Sequence, residues 1–145
     1  MDLAEAVPFV RKHSQGVLVT RRGDGGAQLS NILFHASSGG PAETTIRISV
    51  TDGRAKTRNL RRDERCSLYV PGHSFWSYVV LDGTAELSDV AGASDDAVVE
   101  ELVQLYRDIR GEDHPDWADY RRVMVEERRV VVRFRPGRAY GMVND

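Results

Sequence analysis

Cysteine is almost missing from this sequence: Cys66 stands alone among 145 residues. A lone thiol closes no internal disulfide. Its place in an apolar run reads as a buried, inert side chain, which suits a reducing compartment. Long hydrophobic runs are missing too. No stretch approaches the ~20 apolar residues of a membrane span. The opening segment, MDLAEAVPFVRKHS, carries acids at its head and too short an apolar core for a secretion signal. Together these absences point to a soluble cytoplasmic protein. His13, His73 and His114 show no metal-ligand spacing with Cys66, so no metal centre is expected. Excess positive charge is also lacking: the formal net charge is −2 and the isoelectric point about 6.1, against a protein that coats nucleic acid. There is no internal repeat, low-complexity tract or linker.

What is present reads as one domain over residues 1–145, with 41% hydrophobic and 29% charged residues. A short helix is expected at 3–13, started or interrupted at Pro8. GVLVTRR (16–22) and AQLSNILFHAS (27–37) read as the strands of a hairpin, with GDGG (23–26) supplying positive φ at the turn. TTIRISVT (44–51) alternates strictly, with Ile46, Ile48 and Val50 on one face and Arg47, Ser49 and Thr51 on the other. A short helix at about 54–63 precedes the strand CSLYV (66–70). FWSYVVLDGTAELSD (75–89) reads as a long strand in which Gly83 marks a bend or bulge. Val98, Leu102, Leu105 and Ile109 repeat at helical spacing within 94–111, widened by Val99 and Tyr106, with Ser94 as candidate N-cap and Gly111 as terminator. A second helix is expected at 114–127, with Pro115 in its first turn, and a last strand at 128–136. Six strands joined mostly by short turns, with helices at the periphery, predict a mainly β, antiparallel fold closing into a small barrel.

One stretch departs from the mild overall charge. Residues 54–65 hold Arg54, Lys56, Arg58, Arg61, Arg62 and Arg65 against Asp63 and Glu64. Three readings compete. Helical spacing of Arg54, Arg58, Arg61 and Arg65 fits a solvated face. A strand ending at Thr51, a turn at Gly53 and a helix start among Arg54, Ala55 and Lys56 fit an anion site, because the first amides of a helix lack internal partners. Nucleic-acid binding is weaker, since no aromatic residue is interleaved for stacking.

A family resemblance bears on the choice. VTDGRAKTRNLRRDERCSL, preceded by GVLVTRRGDGGAQLSN and followed by WSYVVLDGTAEL and RRVVVRFRPGRAYG, resembles the split β-barrel flavin and deazaflavin oxidoreductases related to pyridoxamine-phosphate oxidase. The likeness is greatest to the actinobacterial branch using coenzyme F420, and runs from about Gly16 to Gly141. It implies a six-stranded antiparallel split β-barrel and a homodimer with cofactor grooves between subunits. It implies that Ser49, Val50, Thr51, Arg54 and Lys56 hold the cofactor phosphate. Gln28, Ser30 and Asn31 would touch the deazaflavin edge, and Trp76, Ser77 and Tyr78 would line the groove from the partner subunit. Arg58, Arg61 and Arg62 would then face the lactate and glutamates that follow the phosphate in F420. The implied activity is hydride transfer from reduced F420 to an unsaturated small molecule. An FMN enzyme on the same barrel and an F420 carrier without turnover are the alternatives. No nucleophile or catalytic triad is expected, because the cofactor carries the chemistry.

Residues taken alone also admit plainer roles. Trp76 and Tyr78, two apart on an expected strand, suit core or dimer packing. Gln28 and Asn31 suit polar hairpin positions, and His35 a satisfied structural histidine. Asp95 and Asp96 suit a helix start. Tyr140 suits either an ordered tail or an approach to the cofactor, and the segment from Pro136 to Asp145 is a candidate contributor to the open, substrate-selecting side of the groove.

Overall fold

Alternation of apolar and polar side chains builds seven antiparallel strands in a computed structural model that describes residues 1–144. They are β1 (Gln15–Arg21), β2 (Ala27–Leu33), β3 (His35–Ala36), β4 (Ile46–Thr51), β5 (Arg65–Pro71), β6 (Tyr78–Leu87) and β7 (Arg129–Met142). The sheet order is β2-β1-β5-β6-β7-β4-β3. The sequence suggested six strands because 27–37 reads as one run; it breaks at Phe34. That side chain is fully buried, and its amide donates to the Ser14 carbonyl at 2.8 Å. The break carries the chain from one edge of the sheet to the other. Since β2 and β3 are the two edges yet lie one residue apart, the sheet must curl until its edges meet, which is the split barrel.

The closure is incomplete. β3 pairs only with Ile46 and Arg47, so residues 48–51 of β4 have β7 as their single ladder neighbour among the described residues. That open edge locates the site below. The final strand runs past its expected end at 136, because residues 136–142 pair with β6 through Tyr78↔Met142. Asp145, the end of the expected tail, lies outside the described residues. Gly83 does mark a register shift. A Cβ there would fall on the Arg135 carbonyl, so only glycine allows the two strands to close up.

Inward residues of alternating register, among them Leu18, Ile48, Leu68, Leu81, Val132 and Phe134, fill the barrel. Helix α1 (Leu3–Val10) plugs one end with Phe9 and Val10 and starts with a capping box between Asp2 and Glu5. Helix α2 (Ala55–Arg62) follows β4 directly. Helices α3 (Ala97–Arg110) and α4 (Trp117–Glu126) form an outer layer in which Val99, Leu102, Val103 and Met124 cover Val131 of β7. The N-cap of α3 is Asp96, not Ser94. Its two carboxylate oxygens accept separately, one from the amide of Val99 at 2.9 Å and the other from that of Gly92 at 2.8 Å. Asp116 caps α4, so Pro115 precedes the helix. Gly111 ends α3 at φ 70°. Burial pushes the Cys66 thiol up to about 12, so it stays protonated. Among the described residues no helix is long and apolar enough to cross a membrane.

Candidate functional site

The open edge of β4 faces a cavity of about 510 Å³. Its floor is Ser49, Val50 and Thr51 of β4 with Asn31, Ile32 and Leu33 of β2, the strand on the other side of the seam. Its roof is the last turns of α3, through Leu105, Tyr106, Ile109 and Arg110, and α4, through Tyr120 and Met124. Arg54 and Lys56, at the start of α2, close one corner with Arg129 of β7. Arg129 arrives there through the sheet, because it pairs with Thr51 in the β4–β7 register. Its guanidinium lies 3.4 Å from the Ser49 hydroxyl.

Arg54, Lys56, Arg110 and Arg129 line this space and no carboxylate does. Neither Arg54 nor Lys56 has a side-chain hydrogen bond or ion pair among the described residues. Partial burial, with Arg54 and Arg129 alongside, holds the Lys56 ammonium below its ordinary value. Arg129 is paired with Glu127 at 2.8 Å, whereas Arg54 and Lys56 stand together without a counter-charge, where an anion relieves repulsion. Ser49 and Thr51 add hydroxyls, and the unpaired edge of β4 and the start of α2 add backbone groups. The Tyr120 phenol plays no such part: it donates to the Leu102 carbonyl at 3.0 Å, and burial pushes it up to about 12.

The rest of the basic run is engaged elsewhere. Arg58 donates to the Gly53 carbonyl at 2.5 Å and Arg61 pairs with Asp52 at 2.5 Å. Arg62 donates to the Arg21 carbonyl and to Asn59 Oδ1, both at 3.0 Å, and Arg65 pairs with Asp63 at 2.9 Å. None of them lines the cavity, so the expected stripe of free arginines along α2 is absent and its body is a structural face.

Of the residues singled out in the sequence, Asn31, Ser49, Val50, Thr51, Arg54 and Lys56 meet in one cavity. Gln28 and Ser30 do not line it. They alternate with Asn31 and pair with the inward Thr20 and Leu18, so their side chains take the other face of β2. Trp76, Ser77 and Tyr78 also lie elsewhere in the subunit. The strand expected from 75 begins at Tyr78, because Gly72 donates to the Ser77 carbonyl and Ser77 to the Ser74 carbonyl in a tight turn. Trp76 therefore does not share a strand face with Tyr78. It is 68% exposed beside Phe75, whereas Tyr78 stacks on Tyr69 at 5.8 Å. The buried Ser77 hydroxyl accepts the Asn144 amide at 2.7 Å. His35 sits on β3, 3.8 Å from Asp108, outside the cavity.

Sequence reasoning missed the roof and Arg129. The helical stripe of α3 flagged Leu105, Tyr106 and Ile109 only as core, and the alternation of Arg129 and Arg133 with Val130 and Val132 signalled an outward arginine without its neighbour.

The donor set suits a phosphate: guanidinium, ammonium, hydroxyl and backbone groups around a space with no acid. Known proteins share this fold. A conserved hypothetical protein of Mycobacterium tuberculosis, Rv2991, superposes with a TM-score of 0.69 at 25% identity, over 96% of this chain and 82% of that one. An F420 reductase superposes at 0.60 with 22% identity, over 92% and 94%. The heme storage protein HutZ of Vibrio cholerae superposes at 0.65 with 12% identity, over 97% and 95%. At such identities the last two speak for the fold alone. The family model described as pyridoxamine 5'-phosphate oxidase matches residues 3–142, and the chain belongs to that family of split-barrel proteins.

Proposed function

We propose that this protein is an F420H2-dependent oxidoreductase that delivers hydride to an unsaturated small molecule, working as a homodimer with its cofactor grooves at the subunit interface. The observation that carries this reading is the pair of cations without counter-charge, Arg54 and Lys56, on the open edge of β4. Arg54 and Lys56 bind the cofactor phosphate, with Ser49 and Thr51 hydroxyls and the Val50 backbone completing the cradle. Arg129 fixes the corner from β7. Asn31, with the open edge of β2 at Gln28 and Ser30, orients the ring system. A bound deazaflavin supplies hydride chemistry, having carbon where a flavin has N5. The protein binds, orients and excludes water, and no side chain is assigned as nucleophile or proton donor.

The dimer reading is supported by one row of the sheet. Asn31, Val17, Tyr69, Val80 and Tyr140 are registered partners across β2, β1, β5, β6 and β7, so their side chains share the outer face. Leu33, Trp76, Met142 and Val143 are exposed, and Leu33, Met142 and Tyr78 are register-adjacent to that row. An apolar stripe that begins at the cavity is suited to an isologous contact. It would bring Trp76, Ser77 and Tyr78 of one subunit to the groove of the other.

An FMN enzyme would use the same phosphate corner. Parallel titration with F420 and FMN separates the two, since their oxidised forms absorb at different wavelengths. Tighter binding of F420, followed by acceptor-dependent oxidation of F420H2, is expected. Equal or tighter binding of FMN sinks the deazaflavin reading, and F420 binding without turnover across an acceptor screen leaves a carrier. Mass in solution, with Trp76→Ala beside the parent, tests the dimer: a monomer that binds F420 tightly rules it out.

A further inference from the structure

We infer that Arg110, in the last turn of α3, is a second anion subsite of the same cavity, which takes a carboxylate of the ligand whose phosphate sits at Arg54 and Lys56. The cavity thereby selects a cofactor bearing phosphate and carboxylate over one bearing phosphate alone. This rests on the deazaflavin reading and assigns its acidic tail to the roof of the cavity, not to the arginines along α2.

The cavity, about 510 Å³, is of a size that takes a whole small-molecule ligand and not merely a phosphate. Beyond the basic corner its lining includes Ile32, Leu33, Leu105, Tyr106, Ile109 and Met124, and Arg110 is the one charged lining residue outside that corner. The contrast with Arg107, one turn earlier, is informative. Arg107 Nε donates to Asp113 at 2.7 Å, and its guanidinium lies 4.9 Å from the Trp117 ring, so its charge is met within the chain. Arg110 has no carboxylate partner among the described residues. The nearby Asp108 is occupied by Gln104 at 2.9 Å and faces His35 at 3.8 Å. After Gly111 turns at φ 70°, Asp113 returns to Arg107 and leaves Arg110 unpaired.

Arg110 is nonetheless held. Its guanidinium lies 5.6 Å from the Tyr106 ring, a neighbour at i−4 on the same helical face. Tyr106 is itself fixed by edge-to-face contacts with His114 at 5.1 Å, Trp117 at 5.5 Å and Tyr120 at 5.3 Å. This box of rings joins α3 to α4, and two of its members, Tyr106 and Tyr120, are cavity wall. A long side chain seated on a fixed ring loses less freedom when it meets an anion. The arrangement reads as a pre-positioned cation facing a ligand.

The test compares parent, Arg110→Gln, Arg110→Lys and Lys56→Ala by fluorescence titration with glutamate-tailed F420 and with FMN, which has no carboxylate. Arg110 is solvent-exposed, so the expected effect of Arg110→Gln is a loss of about fivefold for F420. No change is expected for FMN, and Arg110→Lys should recover most of the loss. Lys56→Ala should weaken both ligands. Unchanged F420 affinity in Arg110→Gln, with Lys56→Ala still weakening it, overturns the subsite and leaves the deazaflavin reading standing. An equal loss for both ligands in Arg110→Gln assigns Arg110 to the shape of the cavity and also overturns it. If the parent fails to bind F420, both readings fall together.

Discussion

The two ends of α2 use arginine in opposite ways. At its start, Arg54 and the neighbouring Lys56 face the cavity without partners. Along its body and just beyond, Arg58, Arg61, Arg62 and Arg65 are each bound to a carbonyl, an amide oxygen or a carboxylate. The difference is not in the charges but in what stands opposite them. Asp52, two residues before Arg54, is the acid nearest to it in the sequence. It is held by Arg61 at 2.5 Å and Arg128 at 3.2 Å. The engaged arginines thus occupy Asp52, and one part of the basic run helps to keep Arg54 and Lys56 of the other part without a counter-charge.

The largest expected effect tests the engaged end. Asn59 donates to Thr20 Oγ1 at 3.1 Å and accepts from Arg62, and both Asn59 and Thr20 are buried. Asn59→Ala leaves the Thr20 hydroxyl without its partner and should cost about 1–3 kcal/mol in urea unfolding. Cofactor affinity of the folded fraction should stay at the parental value. A stable variant with weakened binding would erase the distinction between the two ends.

The free end is tested next. Lys56→Ala should lower cofactor affinity by about tenfold or more, through loss of a cation already crowded against Arg54 and Arg129. Its unfolding midpoint should not fall, since Lys56 has no side-chain bond to lose. Parental affinity in the folded variant would return Lys56 to the solvated face.

How far this contrast was legible in the sequence depends on the range of the contacts. The strand ending at Thr51, the turn at Gly53 and the helix start at Arg54 are local signals that made Ser49, Thr51, Arg54 and Lys56 one candidate anion site among three readings, and the family resemblance chose it and added Val50. So are the hairpin turn, whose Gly25 lies at φ 86°, and the bulge at Gly83. Which arginines are engaged depends on distant partners: Asp52 meets Arg128 across 76 positions, and Arg62 meets Arg21 across 41. Arg129 enters the corner through β4–β7 pairing, which alternation alone does not specify. The break at Phe34 was hidden because both halves of 27–37 have strand character and only closure of the sheet separates them. Trp76 was misplaced for a related reason: an aromatic beside a strand reads as strand until the turn at 72–77 is seen.

A smaller effect tests the link between the two ends. Arg61→Ala frees one side of Asp52 and lets it approach Arg54, so affinity should fall by about threefold, the scale of an exposed charge pair. Adding Asp52→Asn to that variant should restore affinity to near the parental value, a non-additive pair that identifies Asp52 as the intermediary. If the double variant binds no better than Arg61→Ala, Arg61 acts on the ligand directly, and the stripe of free cations along α2 regains its support.

The smallest expected effect is in the pH dependence of stability. The Arg61 and Arg128 guanidiniums hold the Asp52 carboxyl below its ordinary value of 3.8. A carboxyl depressed in the folded state stabilises fully above its unfolded value, and its contribution is lost as pH falls through the folded one. Thermal melts of parent and Asp52→Asn should therefore differ at neutral pH, with the parent higher. The gap should hold down to the ordinary carboxylate range and close below it. Asp63, lowered to about 2 by Arg65 side-chain and backbone bonds, gives an internal comparison: the gap for Asp63→Asn should persist further into acid before it closes. Added salt should shrink both gaps, because both pairs lie near the surface. A gap for Asp52→Asn that is absent at neutral pH would mean that the carboxylate is not held by Arg61 and Arg128. Asp52 would then be free to neutralise Arg54, and the corner would owe its open charge to something other than the arginines behind it.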